Sequence, residues 1–162
     1  MKRITLFLFS LTLITGLKAQ GNVSSNNTND DFRNQMLNAV NSLRAKGFMC
    51  GDENMPPVPK VKWNDQLEGV AIKHAKDMKI NNYFSHTSLD GKEIDARVTE
   101  AGYKWLFVSE NIAKGDFTIA SVMRGWEKSH GHCVQLMSPE VIEMGVAQYN
   151  NYWVMDFGKP MK

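Results

Sequence analysis

Residues 141–158, VIEMGVAQYNNYWVMDFG, constrain the fold more than any other stretch of the chain. Two β-rich runs flank Asn150-Asn151, a pair that tolerates the positive φ of a tight turn, so the stretch predicts an antiparallel hairpin. In its second run Trp153, Met155 and Phe157 alternate with Tyr152, Val154 and Asp156. Both sets are largely apolar, and a strand of that kind needs cover on both faces.

The segments upstream supply the cover. Phe32, Met36, Leu37, Val40 and Leu43 recur at helical spacing, predicting a helix over 31–46 that Gly47 stops. Asn64 is a good N-cap for a helix over 65–80, with Leu67, Val70, Ala71, His74, Ala75 and Met78 on one face. Asp90 and Glu93 suit a capping box for a shorter helix ending at Gly102, and Asp116 can cap a helix running to Ser129 with Ile119, Val122, Met123 and Trp126 inward. CGDENMPPVPK reads as a loop, since its prolines exclude helix, with a short extended piece at 61–63. Residues 103–115 read as a semi-regular aromatic segment. Helices on both faces of a small antiparallel sheet give an α+β, three-layer α-β-α sandwich.

The first nineteen residues are a separate object. Lys2 and Arg3 precede a short apolar run, and Leu17-Lys18-Ala19 supplies the cleavage positions of a secretory signal peptide. The run is too short for a stable membrane span, so none is expected once the signal is removed. The expected division is signal 1–19, a flexible polar leader over 20–30, and one domain over 31–160. Removing the signal takes three basic residues and no acidic one, so the formal charge of +2 becomes −1. Nothing in that balance favours nucleic acid. A secreted, extracellular or periplasmic location follows, and with it an oxidising compartment in which Cys50 and Cys133 have one intramolecular pairing available.

SHGHCVQ, residues 129–135, sets two imidazoles beside a thiol. A histidine-activated cysteine nucleophile is disfavoured, because an exported chain with two cysteines tends to join them and no third orienting group is visible. His74 belongs to an apolar helix face and reads as a packed, hydrogen-bonded structural residue. His86 stands in a loop after Phe84-Ser85, where a polar ring has no packing reason to be, and Glu110 lies in an otherwise apolar stretch and wants a partner. Pattern leaves two readings open: three unrelated polar residues, or a site in which His86 and His132 hold zinc or another divalent metal with Glu110 hydrogen-bonded to a ring N–H.

YFSHTSLDGK, SENIAKG and GWEKSHGHCVQLM, in that order and followed by EMGVAQYNNYWVMDFG, resemble the CAP superfamily of cysteine-rich secretory, antigen 5 and pathogenesis-related proteins, in its small bacterial single-domain form. The resemblance runs over roughly 31–158. It implies an α-β-α sandwich with a central cleft, in which two histidines bind a divalent metal and two glutamates support them. Carried over by motif, the histidines are His86 and His132 and the first glutamate is Glu110. Where many eukaryotic members have the second glutamate this chain has Ser129, and Gln135 stands where asparagine is usual. The resemblance also implies that Cys50 and Cys133 are paired, pinning the His132 loop to the segment after the first helix.

Fold alone does not dictate a reaction. The expectation from the resemblance is a monomeric, non-catalytic secreted module that holds a divalent metal and takes a lipid, sterol or peptide-like ligand in its cleft. Tyr83, Phe84, Trp105 and Phe107 are candidates to line that cleft. The alternatives are a metal-dependent hydrolase with Glu110 as the base, for which the missing second glutamate is a handicap, and an envelope protein whose cleft is vestigial.

Overall fold

The computed structural model describes residues 25–162, with side chains from Thr28 onward. The expected signal peptide and residues 20–24 of the expected leader lie outside the described residues. The elements are α1 (Ser25–Lys46), β1 (Phe48–Cys50), β2 (Glu53–Met55), β3 (Lys62–Trp63), α2 (Asp65–Ile80), α3 (Ile94–Glu100), β4 (Trp105–Lys114), α4 (Ile119–Lys128), α5 (His130–Leu136), β5 (Glu143–Tyr149) and β6 (Tyr152–Pro160).

Four strands form the central sheet in the order β3-β5-β6-β4. The hairpin predicted around Asn150-Asn151 is β5–β6, with Tyr149 opposite Tyr152 and Asn150 at a φ of 52°. Alternation along β6 sorts its side chains. Trp153, Met155 and Phe157 enter a core built with Met36 and Val40 of α1, Val122, Met123 and Trp126 of α4, and Leu136 of α5. Tyr152 and Val154 enter the opposite core, with Ala71, Ala75 and Met78 of α2. The layers are therefore α1, α4 and α5 on one face and α2 and α3 on the other, as the three-layer expectation requires.

Gly145 of β5 lets α2 press onto the sheet. A Cβ built there would stand 2.0 Å from the backbone nitrogen of Glu68, so only glycine fits. Asn64 caps α2 as expected, its side chain accepting from the backbone N–H groups of Gln66 and Leu67 at 2.9 and 3.1 Å.

Several elements differ from the sequence reading. The sheet is mixed, because β3 pairs in parallel with β5. The first helix starts at Ser25, six residues early, so the C-terminal part of the expected leader is helical. CGDENM is not open loop: Cys50 ends β1, Gly51-Asp52 make the turn, and Glu53–Met55 form β2 of the same hairpin. Residues 105–114 form a full strand, pulled into register by β6. Thr118 rather than Asp116 caps α4, through a reciprocal box with Ser121. Glu93 stands at the N-cap of α3 without a side-chain cap bond, while Asp90 accepts from the Lys92 N–H within its own turn.

Candidate functional site

β4 is an edge strand, and side chains of adjacent residues on a strand point to opposite faces. Glu110 points to the α2–α3 side and Asn111 to the α4–α5 side. Each secures one of the two candidate histidines.

Glu110 is buried. Its Oε1 accepts from Nδ1–H of His86 at 2.7 Å, and its Oε2 accepts from Nη2 of Arg97 at 2.6 Å. With Nδ1–H directed at Glu110, Nε2 is the ring nitrogen left for another partner. The ring is 54% exposed while the Glu110 carboxylate is 2% exposed, so the acid anchors an imidazole that faces solvent. Arg97 of α3 also donates through Nη1 to the carbonyls of His86 and Lys92, at 2.7 and 2.9 Å, and to the Ser88 hydroxyl at 3.2 Å. One guanidinium therefore fixes both the His86 backbone and the carboxylate beneath its ring.

His74 supports the same loop from α2. Its Nε2 donates to the Ser85 carbonyl at 3.0 Å, and the Ser88 hydroxyl lies 3.4 Å from its Nδ1. Burial lowers its pKa, only partly opposed by the Glu110 charge. The packed, hydrogen-bonded histidine expected from the helix pattern is present, and it props the residues on either side of His86.

His132 arrives from the other face. It is half-buried in α5, and Asn111 Nδ2 donates to its carbonyl at 3.1 Å. Its pKa is lowered by burial, and less by the positive charge that His86 carries when protonated. Cys50 and Cys133 form a disulfide with a Cα–Cα distance of 5.4 Å, tying α5 to the β1–β2 hairpin. His130 points elsewhere, with Nε2 3.1 Å from Glu53 Oε2 on β2. Ser129 joins α4 to α5 through its backbone: its N–H donates to the Trp126 carbonyl and its carbonyl accepts from the Cys133 N–H. The Ser129 hydroxyl makes no hydrogen bond to His86, Glu110 or His132.

Arg97 and Asp156 were not singled out from the sequence. Arg97 follows Ile94 by three and precedes Val98, a charge on the inward side of a short helix. Asp156 lies between Met155 and Phe157, a carboxyl in an apolar strand, which is the signal that made Glu110 a candidate.

Imidazole is an ordinary zinc ligand, and two of them supply only part of the three or four protein ligands that zinc usually takes. Glu110 has both oxygens engaged and supports His86 as an outer partner. Among the described residues no group of three or more His, Cys, Asp or Glu is disposed to hold a metal. The four aromatic candidates disperse. Phe84 is exposed and stands 6.4 Å from the Tyr152 ring, Tyr83 packs edge-on to His74, and Phe107 packs against the α1–α4–α5 core. Trp105 lines a groove of about 650 Å³ with Thr99, Tyr103, Leu106 and Met161. A register irregularity between Trp105 and Phe107 sends those two rings to different clusters and leaves Leu106 exposed.

This fold and constellation define a CAP, or SCP, domain. The chain belongs to the CAP cysteine-rich secretory protein family, whose sequence model matches residues 37–157. It is 28% identical to an extracellular protein containing an SCP domain from Bacillus anthracis, with a TM-score of 0.69, covering 78% of this chain and 39% of that one. An outer surface protein of Borrelia burgdorferi has the same fold, with a TM-score of 0.69 at 22% identity over 83% of this chain and 96% of that one. Among curated sequences, the uncharacterized membrane protein YlbC of Bacillus subtilis is 30% identical over 125 residues, 77% of this chain. The uncharacterized protein YkwD of the same organism is 31% identical over 97 residues, 58% of this chain. The chain spans 34% and 37% of the lengths of those two relatives. Among the described residues no helix is long and apolar enough to cross a membrane.

Proposed function

We propose that the chain is a secreted, non-catalytic binding module that holds a divalent metal, zinc first among candidates, between His86 and His132. The observation that carries this reading is the bond from His86 Nδ1 to Glu110, which leaves Nε2 of an exposed ring as the nitrogen available to a metal. The metal would be held by two imidazoles, its remaining positions open to water or to a donor atom of a ligand. A buried Glu110 with both oxygens already accepting is poorly placed to take a proton from water, and this favours binding over hydrolysis. Export is supported by the apolar segment that opens the chain and by the extracellular and outer-surface proteins that share its fold. The groove at Trp105, Leu106 and Met161 has a volume within the range of small-molecule sites and suits an apolar ligand such as a lipid or sterol.

The test is a calorimetric titration of zinc into the oxidised protein lacking residues 1–19, beside His86→Ala and His132→Ala. Saturable one-to-one binding, lost in both variants, is the expected result. No binding by a protein shown to be folded would overturn the metal reading and leave the histidines as a hydrogen-bonded structural cluster.

A further inference from the structure

Asp156 is the buried acid that the site above leaves unused. It is 0% exposed on β6, between two strands. Its register partner on one side is Glu110 of β4, and on the other Gly145 of β5, over which the α2 backbone closes. Opposite residues of antiparallel strands share a face, so the two carboxyls stand side by side beneath α2 and α3. Neither Asp156 oxygen receives a hydrogen bond from an N–H or O–H of a described residue.

The charged and titratable groups around it are few. Glu110 faces it from β4, Arg97 from α3, and His74, whose Nε2 lies 3.9 Å from Glu110 Oε2, from α2. Glu68, whose backbone covers Gly145, turns its carboxylate away to Arg33 and Trp63. Arg97 directs Nη2 at Glu110 and Nη1 at His86, Lys92 and Ser88, and its Nε is unpartnered. Burial disfavours the charged form of His74. One guanidinium is thus set against two carboxyls in a space closed to water, and two adjacent anions cannot both be sustained there.

We propose that Asp156 is a neutral acid at neutral pH and donates its proton to Glu110, fixing Glu110 as the single anion that accepts from both Arg97 and His86. Asp156 is then a positioning residue for His86, acting through Glu110. The assignment gives one of the two donor-less Asp156 oxygens a partner: an acid supplies the hydrogen between two oxygens that otherwise only accept. The electrostatics agree, since burial and the adjacent Glu110 charge push the Asp156 carboxyl well above the ordinary carboxylate range against the pull of Arg97. None of this requires a bound metal, so the assignment stands or falls apart from the metal reading.

The experiment is carbon-13 NMR of the metal-free, oxidised protein labelled at aspartate carboxyls. One carboxyl is expected to keep the chemical shift of a protonated acid at neutral pH, and Asp156→Asn removes that signal. In Glu110→Gln, which takes away the neighbouring charge, the same carboxyl titrates at lower pH than in wild type. Ordinary titration of every aspartate would overturn the proposal, as would an acid signal that survives Asp156→Asn or whose titration is unmoved by Glu110→Gln. The positioning role is read separately, from the Nδ1–H proton of His86 bonded to Glu110. Asparagine can still donate to Glu110, so Asp156→Asn retains that proton resonance and Asp156→Ala loses it. Retention in both variants, or loss in both, would overturn the role.

Discussion

Glu110 and Asn111, neighbours in sequence, hold opposite walls of the same site. Glu110 accepts from the His86 ring on the α2–α3 side, and Asn111 donates to the His132 backbone on the α4–α5 side. The site is assembled around the edge of a strand rather than within one layer, so each half can be disturbed alone.

Replacing Asn111 by alanine tests the α5 half. It removes the donor to the His132 carbonyl in a side chain that is fully buried. A loss of roughly 1–3 kcal/mol in urea unfolding is expected, from the lost bond and the space left behind. Shifts in the backbone NMR spectrum should be concentrated in residues 129–137, with those of 85–88 little moved.

Arg97→Met tests the other half. The side chain is 9% exposed and, among the described residues, Arg97 is the one guanidinium or ammonium hydrogen-bonded to Glu110. Removing one partner of a buried ion pair leaves an uncompensated charge and costs about 3–5 kcal/mol. Arg97→Lys should recover little, because one ammonium cannot reach Glu110 and three further acceptors in the geometry of the guanidinium fork. Thermal unfolding of the three proteins measures the difference.

The Cys50–Cys133 bridge closes a sequence separation of 83 residues. A double serine variant is expected to lose about 4–5 kcal/mol, chiefly through the freed unfolded chain. Amide exchange should rise most in α5 and the β1–β2 hairpin. Equal increases across all elements would contradict a local tether.

Asp156 gives the stability a pH dependence of definite sign. Its folded pKa lies well above the ordinary 3.8, so the folded state binds the proton more tightly. The associated stability is complete below the ordinary value and declines as pH rises toward and through the folded value, by up to about 1.4 kcal/mol per pH unit. Urea unfolding across pH should show wild type losing stability relative to Asp156→Asn as pH rises above the ordinary value of 3.8, and levelling off once the folded value is passed. Parallel curves would contradict this.

How far the sequence carries depends on where the constraint lies. Asn64, Gly47 and the Asn150 turn act through local backbone chemistry, and the ends they predict are the ends observed. The pairing of Cys50 with Cys133, implied by the family resemblance, is also present. α5 was not foreseen, because its order comes from distant parts of the chain. Besides the disulfide and Asn111, Arg44 of α1 donates to the carbonyls of Leu136 and Ser138 at 2.7 and 3.1 Å, and burial lowers that guanidinium's pKa to about 10. The parallel pairing of β3 with β5 is likewise a contact across some eighty residues that no local pattern encodes. In the site, Glu110 was legible as a carboxylate in an apolar strand. Asp156 met the same criterion and was passed over, and Arg97 was hidden in a short polar helix.

The rim of β4 has one more role to fill. An edge strand offers unpaired backbone groups on which a second chain can build. Here Trp126 Nε1 donates to the Ile112 carbonyl at 3.3 Å, while α5 is fastened alongside through Asn111. The helices that carry Trp126 and His132 thus cover part of the outermost strand. A chain that shed α5 would leave more of a ten-residue edge strand open to a second chain, and clumping into fibres would be the hazard.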